Sequence, residues 1–324
     1  MKQGDLIFLS ASMPWREGWL KGVDLIEIEE AVISIARAVF SRGGRLIFGG
    51  HPSISPLVAS VAGEYYPQDR HRLVRPVVTF QSEWFRGSVP DQTWEMVEKG
   101  LSTIEWVGLA DTEEVRACVA QRIVNKPDKE LSPAQRQLAL RARNQCLTLM
   151  RQCMLGEMPP HLDGGTMRQW IETRHHNGLL PLPRAMIVIG GMEGCLEEAA
   201  IFVRQRKGEV RDAALPPGAA HIHTFPSGGG AAKTLLNWDP GFVGRLLDTH
   251  WLSHDDAAAL RHASEHRLIH DAEKAWNDVA GNYLSEEERQ EDEEGAAADF
   301  PLQPYEAMAQ RLLDLLDEPA PGTD

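Results

Sequence analysis

An open, mostly parallel α/β sheet is the fold class this sequence predicts, and three observations carry it. Short β-branched, apolar runs recur through residues 1–238, and segments with apolar residues at helical spacing lie between them. Two of the runs stop at glycine turns that precede a helix-like segment: Gly49-Gly50-His51-Pro52 and Gly190-Gly191-Met192-Glu193-Gly194. In a parallel sheet the crevice beyond the strands' carboxyl ends is where glycine lets backbone N–H groups approach a phosphate and helix N-termini supply partial positive charge. A nucleotide site is therefore expected where these turns meet.

The elements follow in order. Leu6 to Leu9 is the first strand, ending in the small-residue loop Ser10-Ala11-Ser12-Met13-Pro14, with Ser10 and Ser12 as candidate ligand contacts. Glu27 to Ser41 repeats Ile28, Ala31, Val32, Ile35, Ala36 and Val39 at helical spacing, stops at Gly43-Gly44 and leads into the strand Arg45 to Phe48. Ser53 to Glu64 reads as a helix with Pro56 in its first turn, a tolerated place for proline. Val74 to Phe80 and Ile104 to Leu109 are the next strands, and Gln81 and Ser82 end the former at the same edge as the glycine turns. Helices are expected over Glu113 to Val124 and Pro133 to Leu155. Residues 156–184 are a Pro-, Gly- and His-containing excursion around a short helical piece, Met167 to Thr173, placed to cover the pocket. Ala185 to Ile189 is a buried strand, a helix runs from Gly194 to about Gln205, and His221 to Phe225 is a last strand entering the third glycine turn, Ser227-Gly228-Gly229-Gly230. Residues 239–324 lose the strand pattern. They read as an acidic helical extension whose Met308, Leu312, Leu315 and Leu316 form a docking stripe.

A formal net charge of −14 disfavours a nucleic-acid backbone as partner, and the run Glu286 to Glu294 holds seven acids against Arg289. No apolar stretch approaches bilayer length and the first residues lack a signal-peptide pattern, so a cytoplasmic chain without a membrane partner is expected. Cys118, Cys146, Cys153 and Cys195 form no CxxC pair and are expected as thiols. Cys146 and Cys153, seven apart in a helical pattern, share a core face, whereas Cys195 sits at a helix N-terminus, a position that stabilises a thiolate. His262, His266 and His270, like His250 and His254, repeat every four residues, but no further ligand completes a metal site. Neither a metal nor a cofactor is predicted.

The chemistry concentrates after the second glycine turn. Gly190, Gly191, Met192, Glu193 and Gly194 are candidates to cradle phosphate or ribose, while Glu197 and Glu198 fall in the first turn of the following helix, favoured there by its dipole. Gly49, Gly50 and His51 supply backbone and imidazole donors from the other turn, and Lys233 adds charge near Gly228 to Gly230.

Four stretches, in this order, resemble the SLOG superfamily, which includes the LOG phosphoribohydrolases and DprA-type proteins. They are Phe8 to Pro14, Phe48 to Leu57, Gly190 to Gly194, and Ser227 to Ala232, and the resemblance is closest to the cluster found beside TIR domains in bacterial conflict systems. It implies a three-layer, Rossmann-like sheet with a nucleotide-derived ligand across the strand ends. It also implies a role at an N-glycosidic bond for an arginine working with a motif glutamate. Arg151, in Leu149-Met150-Arg151-Gln152-Cys153-Met154, matches that helix, and Arg174 is the competing assignment. In a hydrolase the catalytic set is Arg151 with Glu197 or Glu198. Two departures favour a sensor. Met192-Glu193 stands where LOG enzymes have one residue between glycines, and Cys195 replaces a threonine. The expectation is a sensor of ADP-ribose, a cyclic isomer or a similar molecule in antiviral signalling, coupled to homo-oligomerisation or to a separate effector protein.

Overall fold

Among the described residues seven parallel strands form one sheet in the order β4-β3-β2-β1-β5-β6-β7. They are β1 (Leu6–Ser12), β2 (Arg45–Phe48), β3 (Val77–Ser82), β4 (Ser102–Val107), β5 (Ala185–Gly190), β6 (Ile222–Phe225) and β7 (Ile269–Asp271). The computed structural model describes residues 3–20, 22–156, 182–209, 221–238, 240–248, 252–273 and 304–315. The expected helix over Met167 to Thr173, Arg174, His250 and the acidic run from Glu286 lie outside the described residues.

Successive strands step outward from β1 to β4. The chain then returns to the centre, where β5 pairs with the opposite edge of β1. The direction of winding therefore reverses between β1 and β5, and in open α/β sheets ligands bind in the crevice at such a switch point. Two register partners mark it, Ser12 of β1 and Gly190 of β5.

Both faces of the sheet are covered, which is why its central strands read as continuous apolar runs. Side chains alternate between two cores: Leu6 and Phe8 join one, Ile7 and Leu9 the other. On the second face lie α1 (Leu25–Ser41), α2 (Ser55–Tyr65) and α3 (Asp91–Glu98), joined by the C-terminal α10 (Pro304–Leu315). The first face carries α4 (Glu113–Ala120), α5 (Pro133–Leu155), α6 (Glu193–Glu209), α7 (Gly230–Leu236), α8 (Pro240–Asp248) and α9 (His254–Glu265). Among the described residues no helix is long and apolar enough to cross a membrane.

Local chemistry explains the helix that matters most to the site. Ser132 and Gln135 form a capping box at the start of α5, Pro133 occupies its first turn, and Gly156 ends it with φ 76°. Cys146 and Cys153 are both fully buried along one side of it, and all four cysteines are buried thiols.

The structure departs from the sequence reading in three places. β1 runs on through Ser10-Ala11-Ser12 because β5 offers ladder partners as far as Gly190, overriding the loop character of small residues. α3 has no counterpart in the sequence reading; its exposed face breaks up the apolar pattern and only Thr93 and Met96 are buried. The C-terminal region contributes β7 to the sheet, a three-residue strand too short to show alternation. α10 docks on α1, with the Arg42 guanidinium donating to Gln310 and to Asp314 Oδ1 at 2.7 Å.

At the β6–β7 edge three imidazoles crowd together. His221 and His223 have ring centroids 4.2 and 5.4 Å from that of His270, which is in β7 and not on the helix that carries His262 and ends just before His266. Burial, then His270, pushes His223 down to about 3 and His221 down to about 4, from an ordinary 6.5. Between those values and pH 6.5 the unfolded chain binds more protons than the native one, so stability is full above pH 6.5 and falls with acidification. Urea unfolding is expected to lose up to about 1.4 kcal/mol per pH unit for each such histidine. His223→Leu should flatten that slope, and an unchanged slope would contradict the assignment.

Candidate functional site

The carboxyl ends of β1, β2 and β3, the first turn of α6 and one side of α5 enclose an open cavity of about 1700 Å³, which extends to the N-terminus of α9. Ser12, Gly49, Gly50, His51, Gln81, Arg151, Met192, Glu193 and Gly194 line it, as do Glu197 and Glu198. Both glycine turns noted in the sequence thus open onto one hollow.

The turn between β5 and α6 is shaped by Gly190 (φ 58°) and Gly191 (φ 83°), a conformation that side-chain-bearing residues rarely adopt. Gly191 N–H donates to the Ser12 carbonyl at 2.7 Å, tying the turn to the end of β1. These two glycines sit behind the cavity wall and shape it rather than line it. Gly194 acts differently. A Cβ there would lie 2.5 Å from an Arg151 guanidinium nitrogen, so glycine makes room for the arginine.

Arg151 sits at the centre of a charged network on the wall. Its guanidinium donates to Glu197 Oε2, while its Nε faces Glu198 Oε1 at 3.5 Å. Thr148, one turn earlier on α5, donates to Glu197 Oε1, and Ser10 of β1 donates to Glu198 Oε2 at 2.5 Å. Ser10 is therefore a support behind Glu198 and not part of the lining. Burial raises Glu198 above the ordinary carboxylate range, against the pull of Arg151 and Ser10. The same environment pushes the Cys195 thiol up to about 12, through burial first and the Glu198 carboxylate second. The thiolate that a helix N-terminus favours is thus not formed at neutral pH.

His51 also lines the cavity. Its Nδ1 pairs with Ser53 Oγ at 2.7 Å, which leaves Nε2 for a ligand, and burial lowers its pKa so that the ring is neutral. Gln81 Nε2 donates to the Gly50 carbonyl at 3.0 Å and so bridges the ends of β2 and β3. Ser82 is fully buried outside the lining, where its Oγ caps the next turn by accepting from Trp84 N–H.

The third glycine turn also lies outside the lining. Ser227 binds Glu273 and Tyr305 through its hydroxyl, facing α10. A Cβ at Gly229 would lie 2.6 Å from the Gly22 carbonyl oxygen, and one at Gly230 2.4 Å from that of Gly191. Gly228, Gly229 and Gly230 thus pack the wall from behind, and Lys233 is likewise absent from the lining.

Several lining residues have no counterpart in the sequence reading. Arg16, just after Pro14, pairs with Glu193 Oε1, whose Oε2 is buried without a hydrogen-bond partner. Arg204 pairs with Asp256 at the far end, where Ser253 caps α9. Arg204 lies seven residues after Glu197, two helical turns along α6, a spacing that places both on one face. The lining carries Arg16, Arg143, Arg151 and Arg204 against Asp128, Glu193, Glu197, Glu198, Asp255 and Asp256. The side-chain charge of the lining does not by itself select an anion. Among the described residues no group of three or more His, Cys, Asp or Glu side chains is arranged to hold a metal ion.

Fold and cavity together define a parallel, Rossmann-like α/β protein with its candidate site at the topological switch point. Residues 19–112 match the model of the SLOG cluster3 family, which supports membership of the SLOG superfamily. The match spans α1 through β4 and includes the Gly49-Gly50-His51 turn, while the α6 turn and Arg151 lie beyond it. No curated protein matches the chain.

Proposed function

We propose that this protein is a sensor that binds a nucleotide-derived small molecule, such as ADP-ribose or a cyclic isomer, in bacterial antiviral signalling. Ligand binding is coupled to homo-oligomerisation or to a separate effector protein. The observation that carries this reading is the convergence of Ser12, His51, Arg151 and Glu193 on one cavity at the sheet's switch point. N–H groups of the α6 turn suit a phosphate, and the unpartnered Glu193 Oε2 suits a ribose hydroxyl. An unsatisfied buried acceptor costs about 1–3 kcal/mol, which a ligand hydroxyl offsets on binding.

The wall carboxylates are otherwise engaged. Arg151 and Thr148 hold Glu197, while Arg151 and Ser10 hold Glu198. Such a network presents a shaped, pre-organised surface more readily than a free base, which favours binding over turnover. Closure around the ligand then shifts the population of an assembling form.

Calorimetric titration with ADP-ribose, its cyclic isomers and nucleoside monophosphates is expected to give saturable heat with at least one of them, accompanied by a change in mass by light scattering. A flat response across the whole panel would count decisively against a sensor.

The second reading is a phosphoribohydrolase that cleaves the N-glycosidic bond of a nucleoside monophosphate. It is favoured by one contact, the buried Glu198 with raised proton affinity beside Arg151. Such a carboxyl can protonate the departing base as water adds to the sugar carbon it leaves, and Arg151 steadies the Glu198 carboxylate that results. Release of free base by the wild type, abolished in Glu198→Gln, would establish this reading; its absence at high enzyme concentration removes it.

A further inference from the structure

We infer that Trp15 is the stacking platform on which the ligand's base is read. The inference rests on the nucleotide reading above and deepens it. Trp15 lines the cavity yet is 69% exposed, the largest exposure of any described tryptophan. The other described tryptophans have partners: Trp19 packs edge-on against Phe242, Trp84 is buried, Trp94 and Trp106 have ring centroids 6.0 Å apart, and Trp238 packs against the core. Leaving an indole in water at the rim of a site forfeits the burial that normally stabilises so large an apolar ring.

Its placement is also organised. Pro14 precedes it, and φ at a proline is locked. The Arg16 guanidinium lies over the indole, 5.1 Å from its centroid, and the same guanidinium pairs with Glu193 at the start of α6. The ring is thereby tethered to the turn that offers N–H groups to a phosphate. With a cation over one face, the other is left for a planar, electron-poor partner, and the π-face of a nucleobase supplies one. Ribose and phosphate would lie inward, against Glu193 and the Met192–Gly194 turn, and the base outward against the indole.

The test compares wild type, Trp15→Ala, Trp15→Phe and Trp15→Leu by calorimetric titration with AMP and with ADP-ribose. An exposed side chain supports little of the fold, and unchanged melting curves for all four proteins confirm that before titration. Trp15→Ala and Trp15→Leu are expected to weaken binding by about five- to 150-fold, whereas Trp15→Phe, which keeps a π-face, stays within about fivefold of wild type. Equal affinity of Trp15→Ala and wild type overturns the platform while leaving the nucleotide reading intact. Rescue by leucine as good as by phenylalanine overturns it as well, since apolar cover would then suffice. Where wild type binds only a cyclic isomer, the same four proteins are compared on that isomer; wild type that binds no member of the panel above overturns the nucleotide reading and Trp15's role with it.

Discussion

Replacing Arg151 by alanine is expected to remove about 3–5 kcal/mol of stability, because it strands Glu197 and Glu198 on a wall that is largely closed to water. The side chains of the three residues are only 16%, 14% and 11% exposed. Folding therefore places two carboxylates within reach of one guanidinium, and among the described residues neither forms an ion pair with a second cation. Without Arg151 they repel each other in a medium that screens poorly, so at least one must take up a proton. Urea unfolding at pH 7 measures the loss. The deficit should shrink on acidification, as carboxyl protonation relieves it, and in the triple variant Arg151→Ala, Glu197→Gln, Glu198→Gln. A loss under about 1 kcal/mol would mean that the network behaves as an exposed surface pair. Arg151→Lys is expected to rescue incompletely, since one ammonium cannot reproduce the planar fork that meets both partners.

Gly230→Ala is the second large effect, about 2–5 kcal/mol, combining the cost of a left-handed alanine with overpacking against immovable backbone. Gly230 has φ 59°, and the added methyl would sit 2.4 Å from the Gly191 carbonyl oxygen and 2.9 Å from the Gly190 carbonyl carbon. That oxygen already accepts from Ala231 N–H at 3.0 Å, so the two glycine turns are locked together and neither can yield alone. The damage should reach the candidate site, because the displaced Gly191 is held to the end of β1. Gly228→Ala serves as the comparison. Its methyl would meet the buried Ile28 side chain at 2.8 Å, a crowding cost of its own, but with no positive φ and no backbone atom closer than 3.5 Å, so a smaller loss is expected. Equal losses in the two variants would argue that side-chain crowding and not the backbone contact sets the cost. Thermal melting with ligand titration separates stability from binding.

The parallel sheet and most of its elements were legible because strands buried on both faces leave an unmistakable apolar record. Ala185–Gly190 and Arg45–Phe48 have it, and so does Pro133–Leu155 with its serine cap and terminal glycine. The two glycine turns of the site were legible for a related reason: positive φ at Gly50, Gly190 and Gly191 restricts those positions to glycine. What was not legible had no local cause. The third glycine turn looks like the other two in sequence but serves packing, since only its neighbours in space reveal that Gly229 and Gly230 abut the backbone of Gly22 and Gly191. α3 and β7 escape a sequence reading because each buries too few side chains to set a period.

By itself, then, the sequence determined an α/β sheet of parallel type, which strands end at glycine turns and which helix carries Arg151, since burial periodicity and backbone dihedral limits act within a few residues. Only the tertiary structure decided that β1 pairs with β5, that Arg16 meets Glu193 across 177 positions of chain, and that Arg151 meets Glu197 across 46. Parallel strands are joined by crossovers and ion pairs by space, so neither leaves a mark in the residues on either side of it; the cavity is the sum of such contacts.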